Sequence, residues 1–217
     1  MINYTVFEFS PFDENTYVVW EADSREAMVI DPGCHSDEER KALKSFFEKN
    51  RLDINFLINT HCHIDHIFGN AFIKKNYNCL FLAPEEDVFL LQNAPEQAKM
   101  FGIDIDPSPL PDEYITESTD VSLGGISPQF IFTPGHTPGE HSIYFEENQI
   151  CFTGDVLFNM SIGRTDLWRG DMNTLMKSIN EKLLTLPDDV KILPGHGRES
   201  TIFFEKKNNP FLHSGYG

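Results

Sequence analysis

The sequence predicts an α/β protein in which two mixed β-sheets pack together and helices cover their outer faces, a four-layer αββα sandwich. Two successive parts of the chain each combine β-rich runs with segments of helical periodicity. The length of 217 residues suits one well-buried domain, so we expect a single domain over residues 1–217.

The first half opens with β-rich runs and continues with alternating helices and strands. The runs NYTVFEF, TYVVWE and EAMVID are separated by turn residues and predict a meander. Ser36 and Glu39 have the spacing of a capping box, which predicts a helix over DEERKALKSFFEKN. Then follow a strand in INFLIN, a helix in DHIFGNAFIKKNY, a strand in CLFLA, a helix from Pro84 to about Met100, and the loop GIDIDPSPLPDE.

The second half repeats this plan. Its predicted strands lie in YITEST, SPQFIFTP, HSIYFEE and QICFTGD. A helix is predicted in DMNTLMKSINEKLLTL, and a last strand is predicted in VKILPG.

Charge and composition exclude several classes of partner. A net charge of -17 repels a polyanion, and the basic residues are scattered, so we expect no nucleic-acid partner. No apolar stretch is long enough to span a membrane, and the first residues lack the pattern of a signal peptide. The four isolated cysteines suit a reducing compartment, which predicts a cytoplasmic protein. The oligomeric state is left open.

The segment THCHIDH, residues 60–66, contains three of the chain's eight histidines. In extended backbone His61 and His63 project to one side while Cys62 points to the other, so Cys62 is not expected to bind metal. Asp65 and His66 follow where the loop turns into a predicted helix, from which they can approach the same point. This density of imidazole and carboxylate groups predicts a metal site.

Further ligands must come from distant segments, because hydrolytic metals are usually held by about three or four side chains. His136 in TPGHTPGEH, Asp155 at the end of CFTGD and His196 in LPGHG each follow a strand-like run. Neighbouring glycines allow the sharp turns that would aim these side chains into one pocket. The remaining histidines are predicted to be structural: His35, His141 and His213.

Four motifs together resemble the metallo-β-lactamase superfamily along nearly the whole chain: His-x-His-x-Asp-His, PGHTPG, a strand-ending Gly-Asp and PGHG. The segments GDVLF, GRTD and PGHGREST resemble its short glyoxalase II-like branch, the hydroxyacylglutathione hydrolases. The resemblance implies the αββα metallo-β-lactamase fold. It also implies a metal-dependent hydrolase.

The resemblance further implies two metal ions. One would be held by His61, His63 and His136, the other by Asp65, His66 and His196, with Asp155 bridging them. Asp65 and Asp155 would also serve catalysis, and Asp31 would support the metal loop without binding an ion. These nitrogen and oxygen donors suit two Zn²⁺ ions, with Fe or Mn as alternatives. The expected reaction is attack of a metal-bridging hydroxide on a small thioester such as an S-2-hydroxyacylglutathione.

Two features bear on the substrate. Arg164 stands where larger relatives place a basic residue that grips glutathione, and it could equally pair with Asp166. Only a short segment follows His196, so the C-terminal glutathione-binding helical region of full-length relatives is expected to be absent or reduced to one short helix.

The chief alternative is a mononuclear iron persulfide dioxygenase of the same superfamily, which the chain resembles in THCHIDH and GRTD. Such an enzyme uses one iron held by two histidines and an aspartate. The motif LPGHGREST favours the hydrolase, because the dioxygenases tend to carry Pro-Ala-His-Asp there. A nuclease would need a basic arm or an added domain, and a non-catalytic module would not need all of the predicted ligands.

Overall fold

The computed structural model describes residues 1–9 and 11–213, which form two compact units. The first unit contains Met1–Ile115 and Asp120–Ser127; the second contains Thr116–Thr119 and the chain from Pro128 onward. The single domain over residues 1–217 stays a prediction, and residues 10 and 214–217 of that range lie outside the described residues.

The first unit contains a six-stranded mixed sheet with its strands in sequence order. These strands are β1 Ile2–Phe9, β2 Glu14–Glu21, β3 Glu26–Ile30, β4 Asp53–Ile58, β5 Leu80–Ala83 and β6 Glu113–Tyr114. The first three pair antiparallel, as the predicted meander requires, and β3 to β6 pair parallel. The side chains of Val18, Val29 and Leu57 are fully buried, which explains the nearly continuous apolar runs of the central strands.

Helices connect the parallel strands of the first unit. They are α1 Asp37–Asn50, α2 Asn70–Asn76 and α3 Val88–Met100. The predicted capping box is confirmed, since the Glu39 N–H donates to Ser36 Oγ at 3.2 Å and the Ser36 N–H donates to Glu39 Oε2 at 2.8 Å. The buried face of α1 carries Leu43 and Phe47, as its apolar spacing predicts.

In its described residues, the second unit contains a five-stranded sheet, a small hairpin and three helices. The sheet order is β13-β12-β9-β8-β7. Its elements in chain order are β7 Gln129–Phe132, β8 His141–Phe145, β9 Ile150–Gly154, β10 Leu157–Phe158, β11 Ser161–Ile162, α4 Met172–Glu181, β12 Lys191–Pro194, β13 Ser200–Thr201, α5 Ile202–Asn208 and α6 Pro210–His213. Leu175 and Ile179 of α4 pack in one core cluster with Cys151 and Ile192 of the sheet.

Several predicted elements differ from the structure. The helix predicted for DHIFGNAFIKKNY is wrong in its first part, because residues 64–66 form a 3₁₀ turn and α2 starts only at Asn70. The Gly69 N–H donates to Pro32 O at 2.6 Å, and a Cβ on Gly69 would lie 2.6 Å from Cys34 Sγ. This contact with a distant loop fixes the backbone and outweighs the local helical pattern.

Three further differences concern the length or the number of predicted elements. The strand predicted for YITEST ends at Tyr114, because Thr116 and Thr119 close a turn with their own backbone and hydroxyl groups. Helix α4 stops at Glu181, where a 3₁₀ turn replaces its predicted end. After His196 the described residues contain two short helices instead of one at most. Across the described residues, no helix has the length and apolar character that crossing a membrane requires.

Candidate metal centre

The first unit gathers four of the predicted ligands in the loop between β4 and α2. The ring centroid of His61 lies 4.1 Å from that of His66 and 5.0 Å from that of His63. His66 Nε2 lies 3.8 Å from Asp65 Oδ2. The loop curls back because Asn59 Nδ2 donates to His66 O at 3.0 Å. His66 therefore lies against His61, and Asp65 lies against His66.

Asp31 supports this loop from the end of β3. The residue is buried, and its backbone adopts the left-handed conformation with φ 49°. Its Oδ1 accepts a hydrogen bond from the Thr60 N–H at 2.7 Å. Asp31 Oδ2 accepts the Thr60 hydroxyl at 2.6 Å and lies 3.3 Å from His66 Nδ1. Asp31, His61 and His66 could also each offer one ligand atom within 4.8 Å of one another. The carboxylate already accepts two hydrogen bonds from Thr60, and its supporting position stays a prediction.

The Thr60 hydroxyl also sets the orientation of His61. Thr60 Oγ1 lies 3.1 Å from His61 Nδ1, and its single proton is directed to Asp31. The hydroxyl oxygen can therefore only accept from the imidazole, so Nδ1 of His61 carries the proton. This tautomer leaves the lone pair on Nε2, the nitrogen available to a metal. The sequence analysis did not identify this role of Thr60.

Glu14 is a second residue that the sequence analysis missed. Its side chain is buried, with Oε1 4.0 Å from His66 Nδ1 and Oε2 accepting the Thr16 hydroxyl at 2.8 Å. It fits against Gly33, where a side chain would collide with Oε2. Burial raises the pKa of Glu14 well above its ordinary value, although the nearby His66 opposes that shift. An acidic residue at the start of a β-rich run gave no signal of this placement.

The second unit brings the other three predicted ligands together, with His136 and His196 close to Asp155. Asp155 Oδ2 lies 3.5 Å from His136 Nε2 and 3.6 Å from His196 Nε2. Asp155 follows β9 and His196 follows β12, and these strands are parallel neighbours whose carboxyl ends meet at one edge. The Gly195 N–H donates to Gly154 O at 2.8 Å and joins the two strand ends.

Main-chain contacts hold His136 and Asp155 in place. Nδ1 of His136 lies 2.7 Å from the carbonyl oxygen of Arg164, which can only accept, so the proton is on Nδ1 and the lone pair on Nε2. The Asp155 N–H donates to Oε1 of the fully buried Glu140 at 2.7 Å. The carbonyl of Asp155 packs so closely on Gly163 that a Cβ there would collide with it. Glu140 and Gly163 are further positions that the sequence analysis did not identify.

The Arg164 side chain binds Asp166 in the structure. Its Nε and Nη2 lie 2.7 and 2.8 Å from the two carboxylate oxygens, and this fork holds the pKa of Asp166 down to about 2. Both side chains are exposed. The ion pair considered as one alternative is thus present, while a role of Arg164 in substrate binding stays a prediction.

Two of the histidines predicted to be structural have main-chain partners, and the third is exposed in a short helix. His35 Nε2 lies 2.8 Å from Asp104 O, and His141 Nδ1 lies 2.7 Å from Gly139 O. His213 belongs to α6. Cys62 is buried and unbridged, and burial raises the pKa of its thiol well above the ordinary value. Its exclusion from the ligands stays a prediction.

Each unit therefore presents imidazole nitrogens with a carboxylate, and these are donors that Zn²⁺ and Fe²⁺ accept. The His61 and His136 lone pairs are prepared for a metal by Thr60 Oγ1 and the Arg164 carbonyl. The residues present fit a metal centre. 

Comparison with known proteins identifies the same superfamily that the sequence motifs resemble. Residues 10–196 match the metallo-β-lactamase superfamily. The chain is 38% identical over 215 residues to hydroxyacylglutathione hydrolase GloC of Haemophilus influenzae, covering 98% of this chain and 99% of that protein.

Two solved structures are similar to this protein over nearly all of its chain. BLEG-1 B3 metallo-β-lactamase has a TM-score of 0.87 and 31% identity, covering 97% of this chain and 99% of that chain. TTHA1623, solved in a di-iron-bound form, has a TM-score of 0.85 and 31% identity, covering 96% of this chain and 100% of that chain. The predicted α/β fold class, with two mixed sheets and helices, is confirmed. The chain belongs to the metal-dependent metallo-β-lactamase superfamily.

Proposed function

We propose that this protein is a dinuclear metal-dependent hydrolase of a small thioester of the S-2-hydroxyacylglutathione type. One observation carries the proposal: Asp155 Oδ2 lies 3.5 Å from His136 Nε2 and 3.6 Å from His196 Nε2. A carboxylate oxygen close to two imidazoles that are predicted to hold different ions suits a ligand shared by both ions. The 38% identical relative that carries the name hydroxyacylglutathione hydrolase supports the thioester class.

The proposed ligand sets divide the histidines between two ions. His61, His63 and His136 would hold one ion, Asp65, His66 and His196 would hold the other, and Asp155 would bind both. Family membership supports this assignment, as does the presence of suitable donors in each unit. Zn²⁺ is the proposed metal, with Fe or Mn as alternatives, since TTHA1623 has been solved with two irons. When bound, the metals would supply an activated water and polarise the thioester carbonyl.

The chain's own residues would hold this centre in a fixed geometry. The Thr60 hydroxyl and the Arg164 carbonyl fix the tautomers of His61 and His136. Glu140 holds the main chain of Asp155 through its N–H. These contacts would reduce the reorganisation needed when substrate binds.

The proposed substrate and compartment follow from charge and thiol chemistry. The net charge of -17 favours a small molecule over nucleic acid as partner. The four cysteines are free and buried, which suits the reducing cytoplasm where glutathione thioesters occur.

The proposal is tested on metal-free protein reloaded with Zn²⁺. Elemental analysis is expected to find about two ions per chain, because the ligands exceed what one tetrahedral ion needs. The loaded protein is expected to hydrolyse S-lactoylglutathione without O₂. Asp155→Ala is expected to abolish hydrolysis and to lower metal content more than Asp65→Ala, which removes a ligand of one ion.

Three outcomes would contradict the proposal. One ion per chain, unchanged on adding metal, would rule out the dinuclear assignment. An iron-loaded protein that consumes O₂ with glutathione persulfide, beside a zinc form that cleaves no thioester, would identify the dioxygenase. Faster turnover of a β-lactam than of any thioester would instead place the activity with that of the BLEG-1 lactamase.

A further inference from the structure

Arg198 lies two residues after His196, and its guanidinium is exposed but tethered. Its Nε donates to Asn159 Oδ1 at 2.8 Å. Within residues 1–9 and 11–213, Arg198 forms no ion pair with a carboxylate. The terminal nitrogens of its fork are therefore available to a carboxylate from solution.

Arg164, which the sequence analysis considered for substrate binding and equally for an ion pair with Asp166, has an occupied guanidinium. Asp166 occupies its fork with contacts of 2.7 and 2.8 Å. An incoming carboxylate would have to displace a bidentate partner that is already in place. Arg198 would only have to exchange water.

The tether keeps Arg198 near the metal-binding side of the unit. Asn159 follows Phe158, whose ring centroid lies 6.3 Å from that of His196 in an edge-on contact. Arg198 is thus placed near His196 in two ways. It follows His196 by two residues in the chain, and its side chain is bound to Asn159, whose neighbour Phe158 contacts the His196 ring.

The hairpin of β10 and β11 that carries Asn159 is itself anchored. The fully buried Glu205 accepts the Met160 N–H at 2.9 Å, and Asn209 Nδ2 donates to Ser161 O at 3.0 Å. Glu205 of α5 and Asn209, which follows that helix, thereby hold the hairpin that carries Asn159. This arrangement limits the rotamer freedom that an exposed arginine would otherwise lose on binding.

We propose that Arg198 binds a carboxylate of the thiol part of the thioester substrate. This inference rests on the proposed function and narrows it to thiols that carry a carboxylate, of which glutathione has two. In a protein of net charge -17, an anionic substrate needs a local cation to overcome the general repulsion. A planar fork that can make two parallel hydrogen bonds is suited to that group.

The test compares Arg198→Gln with wild type on two thioesters of the same acyl group. S-lactoylglutathione carries carboxylates on its thiol, and the N-acetylcysteamine thioester carries none. Arg198→Gln is expected to raise KM for the glutathione thioester about tenfold, the effect of losing one charge-assisted pair. We expect kcat, metal content and the kinetics of the carboxylate-free thioester to stay at wild-type values.

Binding of S-methylglutathione, measured by calorimetry, provides a readout that does not depend on catalysis. Its Kd is expected to rise about tenfold in Arg198→Gln and to stay unchanged in Lys207→Gln, which removes one exposed charge elsewhere in the same unit. If wild type binds S-methylglutathione but cleaves no thioester, the proposed function fails while the assignment of Arg198 stands.

Four results would overturn the assignment of Arg198. These are an equal effect of Arg198→Gln on both thioesters, an unchanged Kd in that variant, no binding of S-methylglutathione by wild type, or a larger KM effect from Arg164→Gln than from Arg198→Gln.

Discussion

Replacing Thr60 with valine should weaken both the fold and the metal centre, because one buried hydroxyl connects Asp31 to His61. Valine has nearly the same shape as threonine, so Thr60→Val removes the hydroxyl without opening a cavity. The variant loses the 2.6 Å hydrogen bond to Asp31 Oδ2 and the 3.1 Å contact with His61 Nδ1. The Thr60 N–H still donates to Asp31 Oδ1.

The expected magnitude follows from these two contacts. A hydrogen bond to a carboxylate contributes about 1.5–3 kcal/mol, and a neutral one contributes about 1 kcal/mol. The free energy of unfolding of the metal-free protein should therefore fall by about 2.5–4 kcal/mol. Loss of a contact that orients a metal-binding histidine typically lowers metal affinity about 10- to 100-fold.

The assay is urea unfolding of metal-free protein together with zinc competition against a chelating dye. Thr60→Ser is the matched control, because it keeps the hydroxyl and loses only a methyl group. Its metal affinity should stay near that of wild type. If Thr60→Val unfolds within about 0.5 kcal/mol of wild type and binds zinc equally well, the hydroxyl does not have the role inferred here.

Three further perturbations test the surroundings of the site and the pH dependence of the fold. Glu140→Ala leaves the buried Asp155 N–H without its 2.7 Å acceptor, which should lower the free energy of unfolding by about 1–3 kcal/mol and reduce metal content. Glu140→Gln is the control, because its side-chain oxygen can keep the hydrogen bond. Equal metal loss in both variants would contradict this role of Glu140. Gly163→Ala should displace the Asp155 carbonyl and cost about 3 kcal/mol or more, measured by urea unfolding. Gly125→Ala, with open space around it and φ 81°, should cost only about 1–2 kcal/mol of backbone strain, and equal costs at the two glycines would be inconsistent with a collision at Gly163. Hydrogen bonds from the N-terminal ammonium and from backbone N–H groups lower the pKa of Glu21 from 4.5 to about 2. The ionised carboxylate therefore stabilises the fold above about pH 4.5, and this contribution is lost as the pH falls toward 2. Unfolding of metal-free Glu21→Gln should thus differ from wild type at pH 6 and converge with it near pH 2; a constant difference would exclude the linkage.

Features that depend on neighbouring residues were predictable from the sequence. The capping box of Ser36 and Glu39 was confirmed, since both partners lie within one helical turn. The sequence also identified the strand ends that precede Asp155 and His196, because a short apolar run followed by glycine is typical of a strand that ends at a turn. The motifs identified the superfamily, which comparison then confirmed.

Features that depend on contacts between distant segments required the tertiary structure. The start of α2 at Asn70 is fixed by Pro32, which no helical periodicity can report. The proton positions on the predicted metal-binding histidines depend on which oxygen faces each ring, and for His136 that oxygen is the main-chain carbonyl of Arg164, 28 residues away. A carbonyl leaves no trace in residue identity, so its role appears only when the chain is folded.

The two arginines show the same division between sequence and structure. The sequence identified Arg164 as a cation near Asp155 but left open whether it binds Asp166 or substrate, and the two contacts to the Asp166 carboxylate decide that its fork is occupied. Nothing in the sequence around Arg198 indicates whether its side chain has a partner. Only the folded chain brings Asn159 against its Nε and leaves its other nitrogens without a carboxylate in the described part of the protein. Residue types thus determined which chemistry was available, whereas the partners of each side chain, set by long-range packing, decided which residues are free to use it.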